Sequence, residues 1–352
     1  MKEQFIPLVH RLKSQQKITQ KLSITKSIPL LLLLFNHLVY AQKAEIEFLP
    51  NLPYDKYELK TEKDTLCFYL SVTAHSENLP LIVYVQGSGM NSLFTKDQKG
   101  RVRSEYGHMT WFDAGKEKFR ILLVEKPGVK YLQTGQSKSF DKKFSLENWC
   151  RTLETAIDYV IRHEKVSPDK VLIAGHSEGG IASAGTANRM KNRISHVAVI
   201  AGEGPSQLYS LYKFAADGTF FNTPEHNMPS SEERLNYLTD KWKDILKHPN
   251  DTDKKFWGFS YLRWSSMLKT SVMEELASFD GKITIVQGTA DKAVHPESAV
   301  IAYTTLLSKG KDITLNLIEN ADHSFNLSDK PNADGWKIMI EEVMQWFQPD
   351  KK

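Results

Sequence analysis

From residue 81 onward the apolar positions of this chain gather in short unbroken runs, at residues 81–85, 121–124, 171–174, 197–201, 283–286 and 313–318. Runs of four to six leucines and β-branched residues suit strands buried on both faces, as in a parallel sheet covered by helices. Residues 44–72 alternate apolar with polar instead, which predicts antiparallel strands, with Lys63-Asp64 as a turn between 57–60 and 65–72. Between two of the buried runs, Leu146, Trp149, Cys150, Leu153, Ala156, Ile157, Val160 and Ile161 recur at three- and four-residue steps. That stripe predicts an amphipathic helix, with Ser145 as its N-cap. Residues 301–307 and 336–347 predict two more helices. Strand and helix in alternation imply an α/β fold with a mostly parallel sheet. Residues 206–276 break the rhythm. They hold Trp242, Trp257 and Trp264 but no clean strand run, and they read as a helical cap inserted between strands.

Composition changes this picture little. The 352 residues are 41% hydrophobic and 25% charged, ordinary for a globular chain. The formal charge of +4 is concentrated at the front. Six of the 46 Lys/Arg but one of the 42 Asp/Glu fall in residues 1–41, so the remainder is nearly neutral and gives no electrostatic case for nucleic-acid binding. The basic stretch precedes an apolar run at 28–35 that is far short of the roughly 20 residues needed to span a bilayer. Val39 and Ala41 follow it. Together these features predict a signal peptide over 1–41, cleaved after Ala41, with the working domain at 42–352 and no membrane span after cleavage. The expected location is therefore periplasmic or secreted. Cys67 and Cys150 are the only cysteines; one exported pair or two separate buried thiols are equally consistent with the count. No His-x-x-x-His pair accompanies them, and neither a metal nor a cofactor is expected.

The chemistry concentrates after residue 174. Gly175-His176-Ser177-Glu178-Gly179 follows one buried run and precedes the small-residue stretch Gly180-Ile181-Ala182-Ser183-Ala184-Gly185. In a strand–turn–helix of this kind, a serine on a strained turn needs small neighbours because other backbone passes close by. Its hydroxyl then projects at the sheet edge beside a helix N-terminus, which favours developing negative charge. A serine hydroxyl needs an adjacent base. His323 lies just past the last buried run, at the sheet edge where ligand sites of open α/β sheets collect, and is the preferred base over His176, His196 and His295. Asp291, past the run at 283–286, is the preferred carboxylate to orient that histidine, with Glu203 as its substitute and Asp322 as a loop residue.

Ser177, Asp291 and His323, in this order on successive strand ends, resemble the α/β-hydrolase family. The resemblance covers residues 81–347. It implies a mostly parallel sheet of about eight strands, a variable helical cap, and acyl transfer through a serine ester. It also implies an oxyanion hole of two backbone N–H groups. One is that of Glu178, after the nucleophile. The other lies in Gln86-Gly87-Ser88-Gly89, with Ser88 preferred over Gly89 or Met90. The family usually has His-Gly where this chain has Gln86-Gly87.

The function expected is hydrolysis of a carboxylic ester by Ser177, with a small-molecule ester or short peptide as partner and no nucleic acid. A serine peptidase of the same fold is the alternative, in which Glu178 or Glu203 binds a substrate amine. A non-catalytic binding protein is a third reading, disfavoured by retention of all three polar residues. The aromatic stretch from Phe256 to Trp264 reads either as a substrate wall or as plain cap core. Lys126-Pro127-Gly128 reads as an architectural turn.

Overall fold

A computed structural model describes residues 43–62, 64–116 and 118–348. The expected signal peptide, and Lys63 of the expected turn, lie outside the described residues. The chain opens with β1 (Glu45–Phe48), β2 (Tyr54–Lys60) and β3 (Thr65–Ser71), followed by β4 (Leu79–Val85) and a small hairpin of β5 (Phe94–Lys96) and β6 (Val102–Ser104). Next come α1 (His108–Gly115), β7 (Arg120–Val124), α2 (Lys138–Lys143), α3 (Leu146–His163), β8 (Val166–His176), α4 (Gly179–Arg189) and β9 (His196–Ile200). Residues 206–276 contain α5 (Leu208–Asp217), α6 (Ser231–Lys247), a minimal hairpin of β10 (Lys255–Phe256) and β11 (Phe259–Ser260), α7 (Tyr261–Leu268) and α8 (Val272–Leu276). Finally come β12 (Lys282–Gly288), α9 (Glu297–Ser308), β13 (Ile313–Ile318) and α10 (Gly335–Phe347).

Nine strands form one sheet in the order β1-β2-β3-β7-β4-β8-β9-β12-β13. The first three are antiparallel, as is the β3–β7 junction; from β7 to β13 every pairing is parallel. This is the α/β-hydrolase fold, one strand larger than the resemblance implied. The alternation of side chains along a strand feeds two cores. In β4, Leu81, Val83 and Val85 join the core that packs α3 and α4, whereas Ile82 and Tyr84 join the one that packs α1 and α10. Ser145 caps α3 as expected, its hydroxyl accepting from the Asn148 N–H. β13 departs from the expected pattern. It is the edge strand of the sheet, with a neighbour on one side only, so its run is partly buried and Leu317 stays exposed.

Cys67 and Cys150 are both free and buried. They belong to opposite cores of the sheet, which rules out a bond between them. Residues 206–276 carry a third apolar cluster built from α5, α6, α7 and the small hairpin, including Leu211, Phe221, Leu238, Ile245 and Trp264. Part of the aromatic stretch is therefore core of that segment.

Candidate active site

Every group of the expected site sits on a loop at one edge of the sheet, where the parallel strands end. β8 runs to His176 and α4 begins at Gly179, leaving two residues to reverse the chain. Ser177 makes that reversal with φ of 54°, in the left-handed region that costs a residue with a Cβ. The crossing is tight enough to dictate glycine on both sides. A Cβ on Gly175 would lie 2.1 Å from the Gly179 carbonyl oxygen, and one on Gly179 would lie 2.3 Å from that of Val85. The Ser177 N–H donates to the Ile200 carbonyl at 2.8 Å, tying the turn to the end of β9.

The structure brings Ser177, His323 and Asp291 together. His323 Nε2 lies 3.0 Å from Ser177 Oγ, and His323 Nδ1 lies 2.8 Å from Asp291 Oδ2. Asp291 is an acceptor throughout. Its Oδ1 takes the Ala293 and Val294 N–H groups at 2.7 and 3.0 Å, and its Oδ2 takes Gln287 Nε2 at 2.9 Å. Burial pushes this carboxyl up, but the hydrogen bond and charge of His323, with the two backbone donors, outweigh it and hold the carboxyl below its ordinary range. An ionised Asp291 accepts a hydrogen bond from Nδ1–H, which keeps the proton on Nδ1 and leaves Nε2 as the lone-pair nitrogen facing the serine.

The other histidines fall elsewhere. His176 Nε2 donates to the His323 carbonyl at 3.0 Å and so supports the His323 loop rather than contacting Ser177 Oγ. His196 begins β9, at the opposite sheet edge, packed on Trp346 and Phe347. His295 packs against Phe214 and Tyr209. Asp322 accepts from the N–H groups of Ser324 and Asn326, a local loop role. Glu203 is buried and accepts from Ser210 Oγ at 2.8 Å. Asp291, not Glu203, reaches the histidine.

A cavity of about 710 Å³ opens over Ser177. Gly87 and Ser88, past the end of β4, share its lining with His323. Gly87 lies close against Ser177, since a Cβ there would lie 3.1 Å from Ser177 Cβ. Glu178 begins the α4 turn, where the first N–H groups of a helix have no intrahelical acceptor. Aromatic rings form much of the wall: Tyr84, Tyr106, Phe220, Trp257, Phe259, Trp264 and Trp336. Gln86, in place of the family's usual histidine, is buried with neither amide atom partnered among the described residues.

Two buried cations flank this floor, and sequence reasoning did not find their roles. Arg263 on α7 reaches Glu178 Oε1 with Nη2 at 2.6 Å and Nε at 2.8 Å. Its guanidinium also stacks over Trp264 at 3.9 Å. The Glu178 side chain is thus neither solvated nor free for substrate. The available signal was a single arginine inside an otherwise aromatic stretch. Lys126 Nζ donates to the carbonyls of Gly87 at 2.6 Å and Gly89 at 3.0 Å. Burial pushes its ammonium down to about 8, against the pull of Glu178.

A family model described as the prolyl oligopeptidase family matches residues 134–349. This chain belongs to that family. Among solved structures, Est1E from Butyrivibrio proteoclasticus with bound ferulic acid is similar at TM-score 0.55 and 15% identity, over 82% of this chain and 98% of that one. The acylaminoacyl peptidase of Pyrococcus horikoshii is similar at TM-score 0.57 and 16% identity, over 89% of this chain. This chain spans 43% of that peptidase's length. Porphyromonas gingivalis dipeptidyl peptidase 4 is similar at 0.53 and 14% identity, over 84% of this chain and 35% of that one. At such identities the likeness is one of fold. No curated protein matches the chain. Family membership makes the protein a serine hydrolase.

The buried acids and histidines also set a pH dependence of stability. Burial pushes the Glu203 carboxyl up to about 8 and that of Glu125 up to about 7. Their protonated forms are favoured by the fold, so the stability they contribute is lost as pH rises from the ordinary carboxylate range toward those values. Burial pushes His108 down to about 3 and His176 down to about 4, so their contribution is lost as pH falls below the ordinary histidine range. Glu203→Gln keeps an acceptor for Ser210 and removes the titration. Its unfolding free energy, from melting curves, should exceed that of wild type by an amount growing from pH 5 to pH 8, on the order of 4 kcal/mol at the upper end. Glu125 leaves a residual slope. Parallel melting curves across that range would contradict the assignment of Glu203 as a buried neutral acid.

Proposed function

We propose that this chain hydrolyses carboxylic esters, with Ser177 as nucleophile, His323 as general base and Asp291 orienting the imidazole. The observation that carries this reading is the chain of contacts from Asp291 through His323 to Ser177 Oγ. His323 Nε2 takes the hydroxyl proton as Ser177 Oγ bonds to the carbonyl carbon. The N–H groups of Glu178 and Ser88 receive the oxygen that becomes negative. Collapse of the intermediate breaks the bond to the alcohol, which leaves with the proton from His323. Water, deprotonated by His323, then releases the acid and restores Ser177. Each oxyanion donor is worth about 10²–10³ in turnover.

Electrostatics favour an ester over a peptide with a free amine. Glu178 is committed to Arg263, and burial keeps the Glu203 carboxyl protonated near neutrality. Neither offers an ammonium a ready carboxylate. The peptidase reading draws on family membership, and exposed Glu105 on the cavity wall is the remaining acid that an amine would meet. Fluorophosphonate labelling with turnover of an activated ester tests the first reading. Wild type should label and turn over, and Ser177→Ala should do neither. Labelling without ester turnover, together with cleavage of free but not N-acetylated peptides, would select the peptidase.

The substrate's acyl group is proposed to be aromatic. Trp257 and Gly258 form the two-residue turn of the β10–β11 hairpin, both with positive φ, at 46° and 76°. Such turns favour Asn-Gly, and a bulky tryptophan there is strained. Its ring stacks on Phe256 and Phe221, yet the residue remains 39% exposed and lines the cavity. Trp257→Asn relieves the turn and removes the platform. It should lower kcat/KM for a benzoyl-type ester roughly tenfold relative to an acetyl ester, matching the worth of one ring pair. Equal loss on both esters would remove the aromatic assignment.

Export is also proposed, on the basic stretch and short apolar run before Ala41. Mass spectrometry of the protein made in a secreting host should find Gln42 at the N-terminus; an intact residue 1 contradicts it.

A further inference from the structure

Lys126 is an unusual way to use a buried charge. The side chain is almost wholly enclosed, and a buried ammonium is costly unless it is well partnered. Among the described residues it forms no salt bridge. The neighbouring Glu125 turns away, accepting from Ser92, Tyr69 and the Leu93 N–H instead. The ammonium is directed at two backbone carbonyls, with the rings of Trp149 and Phe144 at 4.9 and 5.4 Å.

Those carbonyls belong to the loop that holds the second proposed oxyanion donor. The Gly87 carbonyl and the Ser88 N–H are two ends of one peptide unit, and that unit is trans. In a trans peptide the C=O and N–H point in opposite directions. A strong bond from Lys126 to the Gly87 oxygen therefore turns the Ser88 N–H away from Lys126. Gly87 rests against Ser177 and Ser88 lines the cavity beside it, so the opposite direction is the side of the nucleophile. The second bond, to the Gly89 carbonyl, pins the far side of the loop, where Gly89 has φ of 141°. Cationic donation to a carbonyl also polarises the peptide and strengthens its N–H as a donor.

We propose that Lys126 is a positioning residue for acyl transfer, its ammonium holding the Gly87–Gly89 loop so that the Ser88 N–H meets the oxyanion. This rests on the hydrolase reading above. The loop and Lys126 precede residue 134, where the family match begins, so the role is not carried over from that match.

Lys126→Met, Lys126→Gln and Lys126→Arg test it. Active sites are counted by end-point fluorophosphonate labelling, and failure of wild type to label would sink the hydrolase reading itself, separately from this one. Per labelled site, three quantities are compared: ester turnover, inhibition by a boronic acid that forms a tetrahedral adduct, and inhibition by the planar product acid. Lys126→Met should lose turnover and boronate affinity together, each roughly 10²-fold, as for loss of an oxyanion donor. Product affinity should stay within about threefold. Lys126→Gln should show a smaller loss with the same split, and Lys126→Arg should recover at least about tenfold. Boronate affinity that survives a fall in turnover overturns the proposal, as does a parallel loss of boronate and product affinity. If the Met variant does not fold, the Gln and Arg variants decide by the same criteria. If none of the three folds, Lys126 serves stability alone and the proposal is rejected.

Discussion

The close crossing of β8 and α4 over the end of β4 is the constraint on which the site depends. Within five residues the chain leaves a buried strand, turns at Ser177 with positive φ and enters a helix, with Gly175 and Gly179 in contact distances no side chain tolerates. That crossing sets where the hydroxyl projects. It also decides which other backbone lies beside it, because the Gly179 contact is with Val85 and Gln86, the residues that lead into the Gly87–Gly89 loop. The proposed nucleophile and the proposed oxyanion loop are therefore parts of one packing contact. The hydrogen bond from Ser177 N–H to Ile200 extends the same contact to β9, after which Glu203 enters the cavity wall.

Much of this was legible in the sequence because it rests on local rules. Continuous apolar runs mark the central strands, and a glycine-flanked serine between a strand and a small-residue helix marks the elbow. His323 and Asp291 were found by their place just past strand ends, which is a topological argument rather than a pairwise one. The same local logic misjudged β13, whose run is broken by Thr314 and Asn316 and which has a neighbour on one side only. Periodicity reports what a strand is able to bury, and sheet order decides what it does bury.

The long-range ion pairs were not legible. Glu178 and Arg263 are 85 positions apart, and nothing in either neighbourhood names the other. Lys126-Pro127-Gly128 reads as an architectural turn, and nothing in that triplet shows where the ammonium goes. Its burial follows from α3, whose Trp149 covers it, and from the carbonyls that the β4 loop turns toward it. Residues 206–276 show the reverse case. Their aromatics were open to two readings, and both hold for different residues: Trp264 belongs mainly to the segment's own core, while Trp257 faces the cavity.

The two buried cations stand in different relations to the rest of the fold. Lys126 joins two pieces of the central domain that would be adjacent without it. Arg263 joins the inserted segment to the elbow, for α7 carries it and α4 begins at its partner's neighbour. Removing one partner of such a pair leaves the other charge buried, which typically costs about 3–5 kcal/mol. Helix α7 and the Ser177 turn are thereby coupled, because neither charge can be moved without stranding the other in a buried site. The Trp257 hairpin reaches the cavity from the same segment and is held by ring stacking, by the Trp264 indole N–H donating to the Phe256 carbonyl, by the Lys255–Asp141 ion pair and by Gln136 donating to the Gly258 carbonyl. The inserted segment thus reaches the cavity at two places, through the ion-paired Arg263 on α7 and through Trp257 at the hairpin turn. A substitution of Trp257 leaves the hairpin's polar anchors in place, whereas any substitution of Arg263 also releases Glu178.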